Sequence, residues 1–258
     1  MKPVLFQLGP FPISSFGLFL LLAFLIGISM VRRRAATLGI DPAEMLDVGL
    51  YMIIGGIVGG RLGFVVTNLK TFAQNPGSVI TIWRDSGLTF YGAVVGGLVV
   101  AFVYATRRRI SLGALLDLIA PALAVGYAVA MIGALLHGLF NGKPTGLPWA
   151  VDMFFEKRHP TQLYLLVAAL GIYLVLRSLA ARPHAPGYLF ITFLFLHAVA
   201  RGVVEIFVET QPVFGSVTAM QLVCAVVALV ALTGMSILGK RRPAAGTGPA
   251  MGDGAPGA

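Results

Sequence analysis

Residues Tyr188–Val208 read YLFITFLFLHAVARGVVEIFV. The stretch is apolar and long enough to cross a bilayer as a helix, which takes about 20 residues. Within it, His197, Arg201 and Glu205 follow one another at intervals of four. Helical geometry puts all three on one face, one above another. An arginine at the centre of a membrane helix costs roughly 2.5–3.5 kcal/mol on insertion scales, so such a stripe turns toward protein or a wet cavity. Two readings follow: an ion pair that holds a helix bundle together, or a polar stripe that lines a site.

The whole chain has the same character. Of 258 residues, 57% are hydrophobic and 11% charged, against about 25% charged in soluble domains. The fold class is therefore all-α: a polytopic membrane helix bundle. The net charge of +9 sits in short clusters between apolar spans, a topology signal rather than a groove-binding patch, so no nucleic acid partner is expected. The single cysteine, Cys224, lies in an apolar segment; it excludes an intramolecular disulfide and reads as a small buried residue. Paired-histidine zinc spacing, CxxC pairs and a phosphate-cradling P-loop are all missing from the sequence, so no metal site is expected.

Seven spans are expected, at about 13–31, 45–67, 88–105, 112–136, 161–179, 188–208 and 217–238. Seven crossings put the N-terminus outside and the C-terminus in the cytoplasm. The clusters Arg32–Arg34, Arg107–Arg109 and Lys240–Arg242, with Arg177 and Arg182, then all fall inside, as the positive-inside rule asks. Residues 1–242 read as one domain. The Gly-, Ala- and Pro-rich tail, 243–258, reads as disordered. Trp83 and Trp149, in the two long outward connections, suit a membrane–water interface.

Four segments carry polar groups where spans begin or end. GGIVGGRLG (Gly55–Gly63) combines small residues four apart, Gly56 and Gly60, which allow close helix approach, with Arg61. That arginine snorkels to the interface or binds a lipid phosphate with its planar fork. GLTFYGAVVGG (Gly87–Gly97) repeats the small-residue spacing at Gly92 and Gly96, next to Tyr91, a hydrogen-bond donor or an interfacial anchor. GALLHGLFNG (Gly133–Gly142) brings His137 and Asn141 one turn apart at the outer boundary. Asp117, nearer the other end of that span, is expected to cap it or pair with Arg107–Arg109. In HPTQLY (His159–Tyr164), Pro160 suits a first helical turn and His159 and Thr161 flank the N-cap. Gln162 enters an apolar span, and the helix N-terminus is a ready anion site. These features point to an outward-facing site for an anionic lipid headgroup.

The order of these motifs resembles the prolipoprotein diacylglyceryl transferase family of bacterial inner membranes. VLFQLGPFPISSFGL (Val4–Leu18), GGRLG (Gly59–Gly63), GLTFYGAVVGG, HPTQLY and ARGVVEIF (Ala200–Phe207) carry the resemblance, which runs to about Gly239. It implies transfer of a diacylglyceryl group from phosphatidylglycerol to the lipobox cysteine thiol of a lipoprotein precursor, with glycerol phosphate leaving. No metal or diffusible cofactor is implied, and the location is the bacterial inner membrane. By this resemblance Arg61, Arg201 and Glu205 fall on matching polar positions of the lipid-facing cavity; with the reading of the residues themselves, Arg201, Glu205, Tyr91 and His137 are the catalytic candidates. Arg61, Gly92, Gly133, Asn141, Gly142, His159 and Gln162 are the substrate-binding candidates.

The chain departs from the family pattern at particular positions. Tyr91 stands where the family usually has histidine, and Phe16 where a tyrosine is expected. The fourth-span signature, polar in the family, reads Met131, Ala134 and Leu139 here, and Leu165 replaces a glutamate. An alternative reading is therefore a divergent paralogue or pseudoenzyme that binds anionic phospholipid or a lipoprotein partner without the family reaction. The retained Arg201/Glu205 pair and HPTQLY favour a working site. The lost polar groups favour the alternative.

Overall fold

The computed structural model describes residues 2–8, 11–80, 87–153 and 155–240, without the side chains of Leu8, Phe11, Pro12, Phe90 and Tyr91. Trp83 and the tail expected at 243–258 lie outside the described residues.

Long apolar segments fold as α1 (Ser15–Ala35), α2 (Glu44–Thr67), α4 (Phe90–Arg108), α5 (Leu112–His137), α6 (Thr161–Ala180), α7 (Tyr188–Val204) and α8 (Ala219–Gly239), with a short α3 (Leu69–Gln74) after α2. All but α4 and the short α3 are long and apolar enough to cross a membrane, which makes six among the described residues. The chain is a multi-pass membrane bundle. The expected third span is the helix α4.

Helix α5 is the hub. It packs on α1, α4, α6 and α7, and Ala120, Ala124, Ala128 and Ala134 along it are buried. Such small side chains let neighbouring helices approach closely where lipid supplies no hydrophobic drive. The expected partner of Asp117 is not the arginine cluster. Its carboxylate reaches from α5 to α7, accepting from Gly187 N at 2.7 Å and Phe190 N at 2.8 Å. It therefore caps the N-terminus of the helix that carries Arg201, and Glu44 is the residue that pairs with Arg108.

Helices α2 and α4 meet backbone to backbone, one residue out of the expected register. A Cβ at Gly59 would run into Gly92 O and one at Gly96 into Gly55 O, whereas one at Gly56 would make ordinary contact with Ala93 O. The close-approach stripe is thus Gly55, Gly59 and Gly63.

Among the described residues three short hairpins flank the helix ends: β1 (Val4–Leu8) with β2 (Phe11–Ser14), β3 (Val151–Met153) with β4 (Glu156–Arg158), and β5 (Pro212–Phe214) with β6 (Val217–Thr218). Single bridges, Gly142 to Val208 and Pro144 to Arg158, stitch the α5–α6 connection to the segment after α7 and to β4. That stitching positions the site.

Candidate active site

Helix α7 stops one turn earlier than the apolar pattern suggests. It ends at Val204, and Glu205–Phe207 continue as a 3-10 turn. Glu205 still reaches back along the four-residue spacing: Arg201 Nη1 donates to Glu205 Oε2 at 2.5 Å. Its other oxygen, Oε1, accepts from Thr218 Oγ1 at 3.2 Å. Both partners are buried, Arg201 to 8% exposed and Glu205 to 2%. Thr218 is the N-cap of α8 in a capping box with Gln221, so the pair ties the end of α7 to the start of α8.

The guanidinium is only partly consumed. Arginine presents five N–H donors, and among the described residues its single hydrogen bond is the one to Glu205. Its carbon lies 5.6 Å from the Phe140 ring centroid. A cleft of about 560 Å³ opens over it, lined by Phe140, Asn141, Arg201, Glu205, Val208, Glu209, Thr210, Ala219, Met220 and Val223. A cation at the floor of an apolar cleft between membrane helices has the chemistry to hold an anionic headgroup while acyl chains stay in lipid.

The turn from α5 to α6 forms one wall. Thr161 Oγ1 donates to Phe140 O at 2.5 Å, and Gln162 Nε2 donates to Leu139 O and, at 3.4 Å, to Phe140 O. Phe140 has a positive φ of 57°, a conformation uncommon outside glycine that these side chains hold. The N-cap of α6 is Pro160, with no side-chain cap. The helix N-terminus expected as an anion site is largely occupied: Thr161 N donates to His159 O, and Leu163 N and Tyr164 N donate to Pro160 O.

Four buried polar atoms are without partners among the described residues: His137 Nδ1, Asn141 Oδ1, Arg158 Nε and Gln162 Oε1. All belong to this wall or to β4 beside it. Buried polar groups are normally satisfied, so such a concentration marks a place built to meet something else.

The other candidates have defined places. His159 Nδ1 lies 3.1 Å from Tyr164 Oη, which accepts from Trp149 Nε1 at 2.9 Å. Indole only donates, so the phenol oxygen accepts from Trp149, and the direction of its contact with His159 Nδ1 follows the imidazole tautomer. Arg61 stitches a loop: Nε donates to Val79 O at 2.8 Å, Nη1 to Gly87 O at 3.1 Å and Nη2 to Ser78 O at 2.5 Å. It does not line the Arg201 cleft. Gly92, Gly133 and Gly142 are close-packing positions, against Gly59, Phe19 and His159 respectively. Tyr91 lies in α4, and its side chain is outside the described residues. His197 keeps its place one turn from Arg201, its ring 4.5 Å from that of Tyr127 and 5.5 Å from that of Phe193.

Sequence reasoning missed Thr218, Phe140 and the Arg158–Glu209 ion pair. The Thr218-x-x-Gln221 pattern is a capping-box signal that could have placed Thr218 at a helix start. Phe140 and Glu209 carry no local signal. Arg158 pairs with Glu156 within β4 and ties that strand to Glu209, and the Glu209 hydrogen bond pushes its guanidinium above the ordinary arginine range.

Residues 3–237 match the model of the prolipoprotein diacylglyceryl transferase family. The chain belongs to that family. It is 34% identical over 215 residues to the phosphatidylglycerol–prolipoprotein diacylglyceryl transferase of Trichormus variabilis, covering 77% of this chain and 76% of that one. The proteins of the same name from Chromohalobacter salexigens and Bordetella parapertussis are 31% identical over 220 residues and 30% identical over 230. Those matches cover 83% and 85% of this chain, and 82% and 87% of the relatives.

Five of the departures noted in the sequence, all but Tyr91 in α4, lie together. Met131, Ala134 and Leu165 form one buried cluster with Val204, and Phe16 and Leu139 pack against it. These positions, expected from the resemblance to be polar, are apolar here and share one buried cluster.

Proposed function

We propose that this protein transfers the diacylglyceryl group of phosphatidylglycerol to the cysteine thiol of a lipoprotein precursor, at the outer leaflet of the bacterial inner membrane. Seven crossings with the N-terminus outside, α4 being the seventh, put the Arg201 cleft at that leaflet. The observation that carries the reading is the buried, half-consumed Arg201 guanidinium at the floor of a cleft that opens among membrane helices.

The reaction breaks a carbon–oxygen bond and forms a carbon–sulfur bond. Glu205, itself held by Thr218, fixes the guanidinium, whose remaining N–H groups hold the phosphate. The thiol gives its proton to His137, whose Nδ1 is buried and unpartnered among the described residues. The thiolate attacks the glyceryl carbon bonded to phosphate oxygen. Glycerol phosphate departs with the bond's electron pair, its charge stabilised by Arg201, and the thioether remains. Charge stabilisation of this kind typically contributes about a hundred- to a thousandfold in rate. Tyr91 and His159 are further candidates for handling the proton, and Arg61 supports the site by ordering the loop after α2.

A second reading rests on the apolar cluster of Met131, Ala134 and Leu165: a protein that holds the lipid or a lipoprotein partner without turnover. A transfer assay decides between them. Purified protein, phosphatidylglycerol and a lipobox peptide are incubated in detergent, and mass spectrometry looks for the diacylglyceryl thioether. Product that is lost in Arg201→Ala supports the transferase. Bound lipid without product supports the second reading.

A further inference from the structure

A second cavity, of about 390 Å³, runs along the outside of α1 and is lined by Leu22, Leu25, Ile26, Ser29, Met30 and Arg33. These form two adjacent rows at four-residue spacing, Leu22–Ile26–Met30 and Leu25–Ser29–Arg33, and the trough between such rows follows the helix. The other faces of α1 are taken. Gly27 lies against Ala122 of α5, and Phe24 and Ile28 lie against Gly49 of α2. Val31 and Ala35 join a core cluster with both helices. Leu25, Ser29 and Arg33 are exposed. The groove also lies away from the Arg201 cleft. The start of α1 sits beside the end of α5, where Lys2 N donates to Leu136 O at 2.9 Å and the Phe16 ring is 6.4 Å from that of His137. Arg33 is at the other end of this 21-residue helix, which is about 30 Å long. Groove and cleft share no lining residue.

Charge decides what fills it. Arg33 makes no hydrogen bond or ion pair among the described residues, and neither does the Ser29 hydroxyl. Other hydroxyls in these helices turn back to the carbonyl four residues earlier, as Thr192 does to Tyr188 O and Thr233 to Leu229 O. Ser29 and Arg33 therefore present an unengaged hydroxyl and guanidinium one turn apart on one face. The acidic residues nearest in sequence are engaged elsewhere: Asp41 accepts from Ala43 N at 2.8 Å, and Glu44 accepts from Tyr104 Oη at 3.1 Å and pairs with Arg108. Arg32 and Arg34 add to the positive charge. An apolar trough that ends in such a cluster matches an acyl chain with a phosphate at its head. It repels the basic leading end of a signal segment.

We propose that this groove holds a resident anionic phospholipid, separate from the substrate, with its phosphate on Ser29 and Arg33 and one acyl chain along Leu22, Ile26 and Met30. The lipid belongs to the leaflet at the end of the bundle away from the Arg201 cleft. In the seven-crossing orientation proposed above, on which only the naming of the leaflet rests, that is the cytoplasmic one.

The test uses the full chain in phosphatidylcholine liposomes that contain a trace of phosphatidic acid with a photoreactive diazirine on one acyl chain. A phosphatidylcholine carrying the same chain is the control, and mass spectrometry of peptides maps the adducts. The phosphatidic acid probe is expected to label α1 between Leu22 and Met30 at least about fivefold more than the control, the worth of one basic residue at an anionic site. Arg33→Ala should cut that excess several-fold; the side chain is exposed and makes no bond among the described residues, so folding is not at stake. Ser29→Leu, which keeps an apolar group on an exposed face, should also reduce it. Arg201→Ala should leave labelling of α1 unchanged. Equal labelling by the two probes, or an excess untouched by Arg33→Ala, overturns the site and reduces the groove to ordinary lipid contact. Labelling of α1 that disappears in Arg201→Ala joins the groove to the cleft and overturns the separate site.

Discussion

Glu205 receives a hydrogen bond from Arg201 on one carboxylate oxygen and from Thr218 on the other. A buried carboxylate with both oxygens engaged is a positioning group. The guanidinium it orients lines the cleft and makes its single hydrogen bond among the described residues to Glu205. Removing the carboxylate's charge should therefore loosen the arginine before it unfolds the bundle. Glu205→Gln is expected to keep its fold, because an amide still accepts from Thr218, and to lose about tenfold or more in transfer rate. Steady-state kinetics beside a thermal unfolding scan reads both.

Arg201→Lys should be nearly as damaging as Arg201→Ala to transfer. Lysine keeps the charge but not the planar fork that serves Glu205 and a phosphate together. Activity within twofold of wild type in Arg201→Lys would show that charge alone suffices.

The stripe His197–Arg201–Glu205 was legible because period four in an apolar run has few interpretations. The helix ends were less so: nothing in EIFV announces that α7 stops at Val204. The ending comes from contacts made elsewhere, by Thr218 and by the bridge from Val208 to Gly142. Arg61 shows the same limit. Its fork is the right shape for phosphate, yet three backbone carbonyls from a loop 17 to 26 residues away take it up, a pairing that no local pattern encodes. The glycine stripe was readable as close packing but not in register, since Gly55 and Gly56 both belong to four-residue repeats and only the partner helix chooses between them. The grouping of Met131, Ala134 and Leu165 is likewise a fact of three dimensions.

Arg61→Ala should lower stability by about 2–5 kcal/mol, given hydrogen bonds from a charged group to three carbonyls at a net 1.5–3 kcal/mol each and partial replacement by water. Limited proteolysis should cut sooner around Ser78 and Val79, whose carbonyls Arg61 holds. Arg61→Lys should recover only part of the loss.

Gly59→Val is expected to separate α2 from α4, because the first carbon of the side chain already meets Gly92 O. Overpacking of this kind costs about 1–3 kcal/mol or more. Gly56→Ala, whose Cβ would sit 3.5 Å from Ala93 O, should be close to neutral. Paired thermal scans in one detergent make the comparison.

Asp117→Ala removes both acceptors at the start of α7. A loss of about 1–2 kcal/mol is expected, the range of a lost N-cap. Hydrogen exchange should rise first at Gly187 and Phe190, the two residues whose N–H groups the carboxylate holds.

The central claim is that the Arg201–Glu205 pair serves chemistry and not merely cohesion, and a double substitution tests it most directly. Breaking one partner of a buried pair costs about 3–5 kcal/mol, whereas replacing both with apolar residues of similar volume is often neutral. Arg201→Met combined with Glu205→Leu should therefore unfold near the wild-type temperature and form no thioether from phosphatidylglycerol and a lipobox peptide. A double variant that is as stable as wild type and still transfers the diacylglyceryl group would contradict the account and reduce the pair to a structural clasp.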